Sequence, residues 1–260
     1  MQQPVDSPLS SDRDAAAESL SAMMQKEQTV YKSRDYLRPS LADEDTMITA
    51  DDRLKIVVWC YDVVDKCEFD RGVVALTMEM VDRFLSIPSS IAREALHDHK
   101  EYQLVAIAAL YLAIKTNETV CLDIKFFSAM SHGLTSVAEI EEMELSLFHG
   151  LSWHIYAPTT IKVAHDILSS MLPREDMQEE ESTSAFVLNI VNNVQYQAEL
   201  AVTDYYFALQ RPSTIAAAAI FNSVDQLFLK RQDRLALRHA LLSVMMKHKF
   251  ASIELILAAK

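Results

Sequence analysis

The sequence predicts an all-α fold, and three observations support that prediction. Only three glycines occur in 260 residues, whereas tight β-hairpins depend on glycine where the backbone needs a positive φ. Residue types that favour helices, such as alanine, leucine and glutamate, are plentiful instead. Half of the residues are hydrophobic, which is enough for sizeable cores. We therefore expect two tandem five-helix bundles, the second either complete or shortened.

The first 44 residues differ from the rest of the chain. They are rich in Ser, Asp, Ala, Gln and Glu and lack a sustained apolar stripe. Such a composition buries too little apolar surface to offset the entropy lost when a chain becomes ordered. We expect a largely disordered tail over 1–44 with some helical tendency near 15–28. A first folded domain then covers 45–156, and a second covers 157–260.

Breaks in the apolar pattern divide the first domain into five helices. The interruptions fall at 68–70, Pro88, Asn117 and Gly133, and residues of these types commonly end helices or form turns. The helices expected between them are 51–66, 71–86, 101–115, 121–131 and 137–151.

The helical pattern starts again after Trp153 and Pro158. The third helix of each half is rich in alanine and nearly uncharged, so neighbouring helices can approach it on every side. This correspondence indicates an internal duplication of about 105–110 residues. The acidic run over 175–181 is expected to be an exposed connector. The helices expected in this half are 158–171, 182–203, 212–229, 231–246 and a short apolar terminus at 253–259.

Composition and motifs exclude several classes of function. A net charge of −13 argues against a surface for the phosphate backbone of nucleic acids. The sequence shows no secretion signal and no uncharged stretch of roughly 18 residues, so we expect an intracellular protein without a membrane partner. It has no glycine-rich phosphate loop, serine elbow or zinc-protease histidine pair. We therefore expect a protein without catalysis, cofactor or metal, and with reduced cysteines.

Two ionisable residues lie on otherwise apolar helix faces. Lys115 ends the apolar run 104–114, and on a helical wheel Glu144 falls between Ile140 and Phe148. A carboxylate partly removed from water needs a partner. Two partners are compatible with the pattern: Lys115 of the same chain, or a group on another protein that covers this face.

The first helix contains a second unusual charge. Arg53 lies on its apolar side, where a guanidinium is costly unless it is paired. Asp82, at the edge of the apolar stripe of the second helix, is the expected partner, and their bridge would fix the crossing of the two helices. Trp59 lies on the polar stripe with Asp62. It is either a contact surface for another protein or is covered by another segment of this chain.

Several of these motifs together resemble the cyclin family. Residues 53–59 look like the first helix of a cyclin box, 80–86 like its second helix and 104–115 like its central helix. Residues 143–145, followed by Trp153 and the Ala-Pro-Thr at 157–159, are similar to the fifth helix and the passage into the second repeat. Residues 211–218 resemble the third helix of the carboxy-terminal cyclin fold, with a D-type flavour. The resemblance runs from about 46 to 250.

The resemblance implies a non-catalytic regulatory subunit that binds and activates a cyclin-dependent Ser/Thr kinase. Such a subunit would control cell-cycle progression in the nucleus and cytoplasm. The implied partner is the kinase catalytic subunit, with kinase substrates or inhibitors as further candidates. The implied structural bridge joins Arg53 and Asp82. The implied kinase contacts are Lys115, Glu144, Phe148 and Ile155. The candidate substrate-docking patch consists of Ile56, Trp59, Asp62 and Gln103.

The sequence also departs from the family pattern. Asp52 and Lys55 occupy positions that are usually apolar in a docking patch, and Lys55 would repel a basic docking peptide. Thr116 replaces a bulky apolar residue after Lys115. The acidic-flanked leucine and cysteine motif of D-type cyclins is absent from the N-terminus. The alternative function is that of a cyclin-fold scaffold or transcription-associated protein that activates no kinase.

Overall fold

The computed structural model describes residues 8–38, 47–120, 122–131, 133–171, 181–227 and 230–250. Within these ranges the regular elements are all helices, and no strand occurs. The predicted all-α class is therefore confirmed. Among the same residues, no helix combines the length and apolar character that crossing a membrane requires.

The chain forms two compact units. The first unit contains residues 30–157 and 199–209, and the second contains 1–29, 158–198 and 210–260. The assignment differs from a simple division into consecutive domains, because the N-terminal helix belongs with the second unit and the segment around 205 belongs with the first.

Among the described residues, the first unit contains six helices from consecutive sequence and one short later helix. Ser and Thr residues cap several of these helices: the side chains of Thr49 and Ser136 accept hydrogen bonds from backbone N–H groups of Asp52 and Glu139, whose carboxylates complete capping boxes. The helices are α2 (Ala50–Lys66), α3 (Gly72–Leu85), α4 (Ser90–His97), α5 (His99–Asn117), α6 (Ile124–Met130), α7 (Val137–Gly150) and α10 (Tyr205–Ala208).

Helix α5 lies at the centre of the first unit and packs against α3, α4 and α7. Its alanines at 106, 108, 109 and 113 are fully buried, and their small side chains permit close approach on every side. This confirms the central position predicted for the alanine-rich helix. Gly150 permits a second close approach, since a Cβ there would lie 2.8 Å from Phe84 Cε2.

Helix α4 does not appear among the predicted helices, which left 87–100 unassigned. Its eight residues are too few to show a helical period in the sequence. The helix begins at an N-cap, where Ser89 Oγ accepts a hydrogen bond from the backbone N–H of Ala92 at 3.1 Å. Ala92 and Ala95 bury its inner face, so tertiary packing stabilises this short helix.

The second unit is built from α1 (Pro8–Thr29), α8 (Thr160–Met171), α9 (Glu181–Thr203), α11 (Pro212–Gln226) and α12 (Arg231–Lys247). The last residues of α9 belong to the first unit. Helix α8 packs against α1, α11 and α12. The core of the unit includes Val163, Ile167, Ile220 and Leu241, all fully buried. The alanine-rich α11 buries Ala216 and Ala217 in this core, but α8 is the helix that packs against three others. The central position predicted for α11 is therefore not confirmed in the second unit.

The helical tendency predicted near 15–28 is confirmed, but the disorder predicted around it is not. Residues 8–29 form α1, and Leu20, Met23, Met24 and Glu27 are buried. The positions 20, 23, 24 and 27 form one helical face, but a short one that ends in a carboxylate. Glu27 accepts hydrogen bonds from the backbone N–H of Ser213, at 3.0 Å, and from its hydroxyl. Burial against the second unit, rather than composition, orders this helix.

Some sequence predictions fall outside the described residues. The remaining parts of the predicted tail, 1–7 and 39–44, lie there, as do Cys121, most of the acidic run and the apolar terminus at 253–259.

Candidate partner-binding site

Lys115 and Glu144 form an ion pair within the chain. Lys115 lies in the last turn of α5 and Glu144 near the middle of α7, and Lys115 Nζ is 3.1 Å from Glu144 Oε1. Of the two partners that the sequence left open for Glu144, the structure contains the one from the same chain. The Lys115 side chain is 46% exposed and that of Glu144 12%. The pair is therefore at the surface, where a partner protein could reach the ammonium.

Neighbouring groups hold Lys115 in place. Its ammonium lies 5.3 Å from the ring centroid of Tyr111, one turn earlier, which is within the range of a cation–π contact. The end of α5 also carries a partial negative charge that favours a cation. Thr116, the departure from the family pattern, donates its hydroxyl to the carbonyl oxygen of Leu112 at 2.8 Å. Thr116 thus bonds back to its own helix one turn earlier, as Thr side chains within helices commonly do.

An exposed tryptophan follows α7. Phe148 is half-buried, and Trp153 stacks on it with a centroid separation of 4.6 Å and an interplanar angle of 30°. Trp153 is 63% exposed. Ser152 and Trp153 have φ values of 51° and 64°, and such left-handed conformations cost non-glycine residues roughly 1–2 kcal/mol each. This turn places a large aromatic group in solvent, where a binding partner could cover it.

Ile155 is less exposed than expected for a contact with another protein. Ile155, named as a kinase contact, is buried in the first unit's core. Trp153 is exposed instead, although the sequence identified it only as part of a motif. An aromatic residue just beyond a helix end was the available signal. The chain from the end of α5 to the segment after α7 has further exposed apolar side chains: Val120, Phe126, Leu134, Leu145 and Tyr156.

Arg53 and Asp82 form the predicted bridge. Arg53 Nε donates to Asp82 Oδ1 at 2.9 Å and Nη2 donates to Oδ2 at 2.8 Å. Both side chains are almost fully buried, at 2% and 4% exposure. Two further groups complete the network: Arg53 Nη1 donates to the Val202 carbonyl at 2.7 Å, and the Tyr36 hydroxyl donates to Asp82 Oδ1 at 2.7 Å.

The environment of this bridge favours its charged form. Burial alone would lower the pKa of Arg53, but the adjacent Asp82 carboxylate more than offsets that effect, and the pKa is raised. Burial, followed by the nearby Asp82 charge, raises the pKa of Tyr36 well above its ordinary value. Tyr36 therefore remains a neutral donor, and the network joins α2, α3 and two other segments of the first unit.

The candidate docking patch is mostly half-buried. Ile56, Trp59 and Gln103 have intermediate exposure, and Asp62 is exposed. Trp59 packs against the first unit's own core, which favours coverage by this chain as the explanation of its position. The function of the patch in docking stays a prediction.

Asp52, a departure within this patch, has a structural role. Its carboxylate accepts hydrogen bonds from Lys55 Nζ at 2.8 Å and from the Thr49 backbone at 3.1 Å. These bonds lower the pKa of Asp52 to about 2, and the bond from Lys55 has the largest effect. The acidic side chain therefore belongs to the N-terminal cap of α2.

The described part of the chain contains no cluster of three or more His, Cys, Asp or Glu residues suited to a metal ion. Cys60 and Cys67 are free thiols, and burial raises the pKa of the Cys60 thiol. A buried thiol of this kind is unreactive, since the thiolate is the nucleophile.

Two family models match the chain in consecutive order. The N-terminal domain of cyclins matches residues 18–156 and the C-terminal domain matches 177–252. A G2/mitotic-specific cyclin of Glycine max is 25% identical over 169 residues, covering 65% of this chain and 58% of that protein. G1/S-specific cyclin-D1 of Danio rerio is 27% identical over 179 residues, covering 68% and 56%. The chain thus spans little more than half the length of these curated relatives.

A solved structure supports the same fold. A viral cyclin from herpesvirus saimiri superimposes with a TM-score of 0.56 at 14% identity, covering 91% of this chain and 98% of the viral one. Relatives of both the G1/S and the G2/mitotic types match at similar identity, so the D-type flavour stays a prediction. Because the N-terminal model alone covers more than half of the residues and the C-terminal model follows it, the chain belongs to the cyclin family.

Proposed function

We propose that this chain is a non-catalytic regulatory subunit that binds and activates a cyclin-dependent Ser/Thr kinase and so controls cell-cycle progression. The observation that supports this most is the Lys115–Glu144 pair at the surface, on helices that carry or are followed by exposed apolar side chains. The curated relatives are named as cell-cycle cyclins. Residence in the nucleus and cytoplasm, where such a kinase would act, is part of the same proposal.

The proposed mechanism is a shift between two states of the kinase. An active kinase requires its regulatory helix in the position where a glutamate of that helix pairs with the catalytic lysine. A surface that binds this position more tightly than the inactive one increases its population. Moving the kinase from mostly inactive to mostly active needs a preference of roughly 5 kcal/mol. An interface of about 1,600 Å² is large enough to supply it.

The ion pair and the tryptophan would contribute in different ways. Lys115 has three N–H donors, and Glu144 Oε1 lies at 3.1 Å from the ammonium. A pair already formed before binding reduces the side-chain entropy that association would cost. Trp153 can bury a large ring and Phe148 supports it by stacking. Kinase contact through Lys115, Glu144 and Phe148, with Trp153 added, is therefore the site we propose, while buried Ile155 would support it from the core.

The test compares two ion pairs that join the same two helices. We would mix the purified chain with inactive cyclin-dependent kinase catalytic subunits and measure binding and kinase activity. Lys115→Ala/Glu144→Ala should abolish activation while circular dichroism and melting stay unchanged. The matched control is Lys100→Ala/Glu139→Gln, which removes an exposed ion pair of 3.0 Å between α5 and α7.

Glutamine in the control preserves the capping box, since either Glu or Gln can complete it. The control should activate the kinase normally. Equal activation by both variants would refute the proposed site. Failure of the native chain to bind any catalytic subunit would refute the kinase function and favour the alternative, a cyclin-fold scaffold or transcription-associated protein.

A further inference from the structure

A cavity in the first unit is lined by basic side chains. It has a volume of about 410 Å³ and lies beside the C-terminal ends of α3 and α7. Three basic side chains line it: Lys32, Arg34 and Arg83. The other polar residues that line it are His154, Ser86 and Ser152. None of its described lining residues is acidic. On a chain with a net charge of −13, such a grouping is opposite in sign to the surface as a whole.

Arg83 is the buried member of this group. Its side chain is 6% exposed, and its guanidinium lies 4.6 Å from the ring centroid of Tyr31. Nη2 donates to the carbonyl oxygen of His154. Nη1 is 3.0 Å from Glu79 Oε1, but the two groups are not aligned for a hydrogen bond, and both are buried without one among the described residues.

Glu79 compensates the charge of Arg83 only in part. Burial raises the pKa of Glu79 to about 7, although the Arg83 charge opposes the shift. Near neutral pH this carboxyl is therefore close to half-protonated. A buried guanidinium next to a partly neutral acid keeps an excess of positive charge. An anion in the adjacent cavity would offset that excess.

A backbone contact positions the two exposed cations over the cavity. The backbone N–H of Arg34 donates to Ser86 Oγ at 2.8 Å, and Ser86 lies at the C-terminal end of α3. This bond fixes the segment that contains Lys32 and Arg34, so both residues line the same cavity as Arg83. The cavity therefore combines one buried guanidinium with two cations that can adjust to a ligand.

We infer that this cavity binds a phosphate group, with Arg83 at its buried side and Lys32 and Arg34 at its open side. Arginine and lysine are the side chains that most often bind phosphate, and exposed Arg34 can do so through two parallel hydrogen bonds. Buried Arg83, whose Nη2 donates to the His154 carbonyl, contributes its charge. The volume has room for on the order of a dozen water molecules, which is more than a phosphate group alone requires. The group could be a phosphorylated side chain of a protein segment or a free phosphate anion. None of its lining residues belongs to the proposed kinase site.

The test measures binding by isothermal titration calorimetry to the full chain. One arm uses inorganic phosphate, and a second uses N-acetyl-phosphoserine amide, with the unphosphorylated serine compound as its blank. We expect saturable binding of the phosphate group at one site. Tighter binding of the phosphoserine compound identifies a phosphorylated protein segment as the ligand, whereas equal affinities identify the free anion.

Two variants with the same change in net charge decide whether the cavity is the site. Lys32→Ala/Arg34→Ala removes the exposed cations of the cavity and leaves buried Arg83 in place. Lys66→Ala/Arg93→Ala removes an exposed lysine and arginine elsewhere in the first unit. We expect the first variant to weaken binding about tenfold or more and the second to leave it nearly unchanged. Equal weakening by both, or no saturable binding by the native chain, would overturn the inference.

Discussion

Replacement of Arg53 by alanine should destabilise the first unit strongly. The change removes three hydrogen bonds, two to Asp82 and one to the Val202 carbonyl. The buried Asp82 carboxylate would keep the Tyr36 hydroxyl as a donor but lose its counter-charge. Removing one partner of a buried ion pair typically costs about 3–5 kcal/mol. That is a large share of the roughly 5–15 kcal/mol that stabilises a typical domain.

Urea unfolding followed by tryptophan fluorescence is the appropriate assay. The chain has two tryptophans, Trp59 and Trp153, and both lie in the first unit. The fluorescence transition therefore reports the unit that contains the bridge. We expect the Arg53→Ala transition to move to clearly lower urea and the melting temperature to fall by about 10 °C.

Two further variants separate the bridge from general effects of mutation. Lys55→Ala removes another α2 cation that pairs with an aspartate, but its side chain is exposed, so we expect little change. Arg53→Ala with Asp82→Ala removes both charges and should cost less than the sum of the two single replacements. An unchanged transition in Arg53→Ala, or full additivity, would show that the bridge does not stabilise the unit.

Two other predictions concern the surface and the pH dependence. Trp153→Ala should weaken kinase binding about 30-fold, the loss expected for an aromatic hot spot. Tyr196→Ala, which changes an exposed residue of the second unit, should leave binding unchanged. Unfolding and affinity measurements on both variants distinguish a lost contact from a folding effect. Because burial raises the pKa of Glu79 from its ordinary 4.5 to about 7, the native state binds more protons than the unfolded state between these values, and stability should fall as pH rises through that window. Glu79→Gln should flatten this dependence in urea unfolding at several pH values, and an unaltered slope would contradict the assignment.

The charged residues show which parts of the site could be predicted from sequence. Arg53 and Asp82 both fall on apolar helix faces, and the cost of an isolated buried charge leaves few partners for either. The predicted bridge is accordingly present. For Glu144 the same reasoning allowed two partners, because a half-exposed group can be satisfied by its own chain or by another. Only the three-dimensional position of Lys115 selects the bridge within the chain.

The features that the sequence analysis missed depend on contacts between distant residues. The burial of Glu27 requires donors from Ser213, which is 186 positions away, so local composition indicated a tail where the structure has α1. The accessible ring of Trp153 depends on two residues with positive φ, which the residue types there do not favour. The eight-residue α4 is defined by its cap and its packing, neither of which produces a periodic pattern.

The most direct test of the account is the activity of a cyclin-dependent kinase catalytic subunit titrated with this chain. The measured quantity is the rate of substrate phosphorylation at saturating chain, compared between the native protein and Lys115→Ala/Glu144→Ala. The account expects strong activation by the native chain and its loss in the variant, with Lys100→Ala/Glu139→Gln behaving as native. Activation that survives loss of the Lys115–Glu144 pair, or no activation by the native chain with any catalytic subunit, would contradict it.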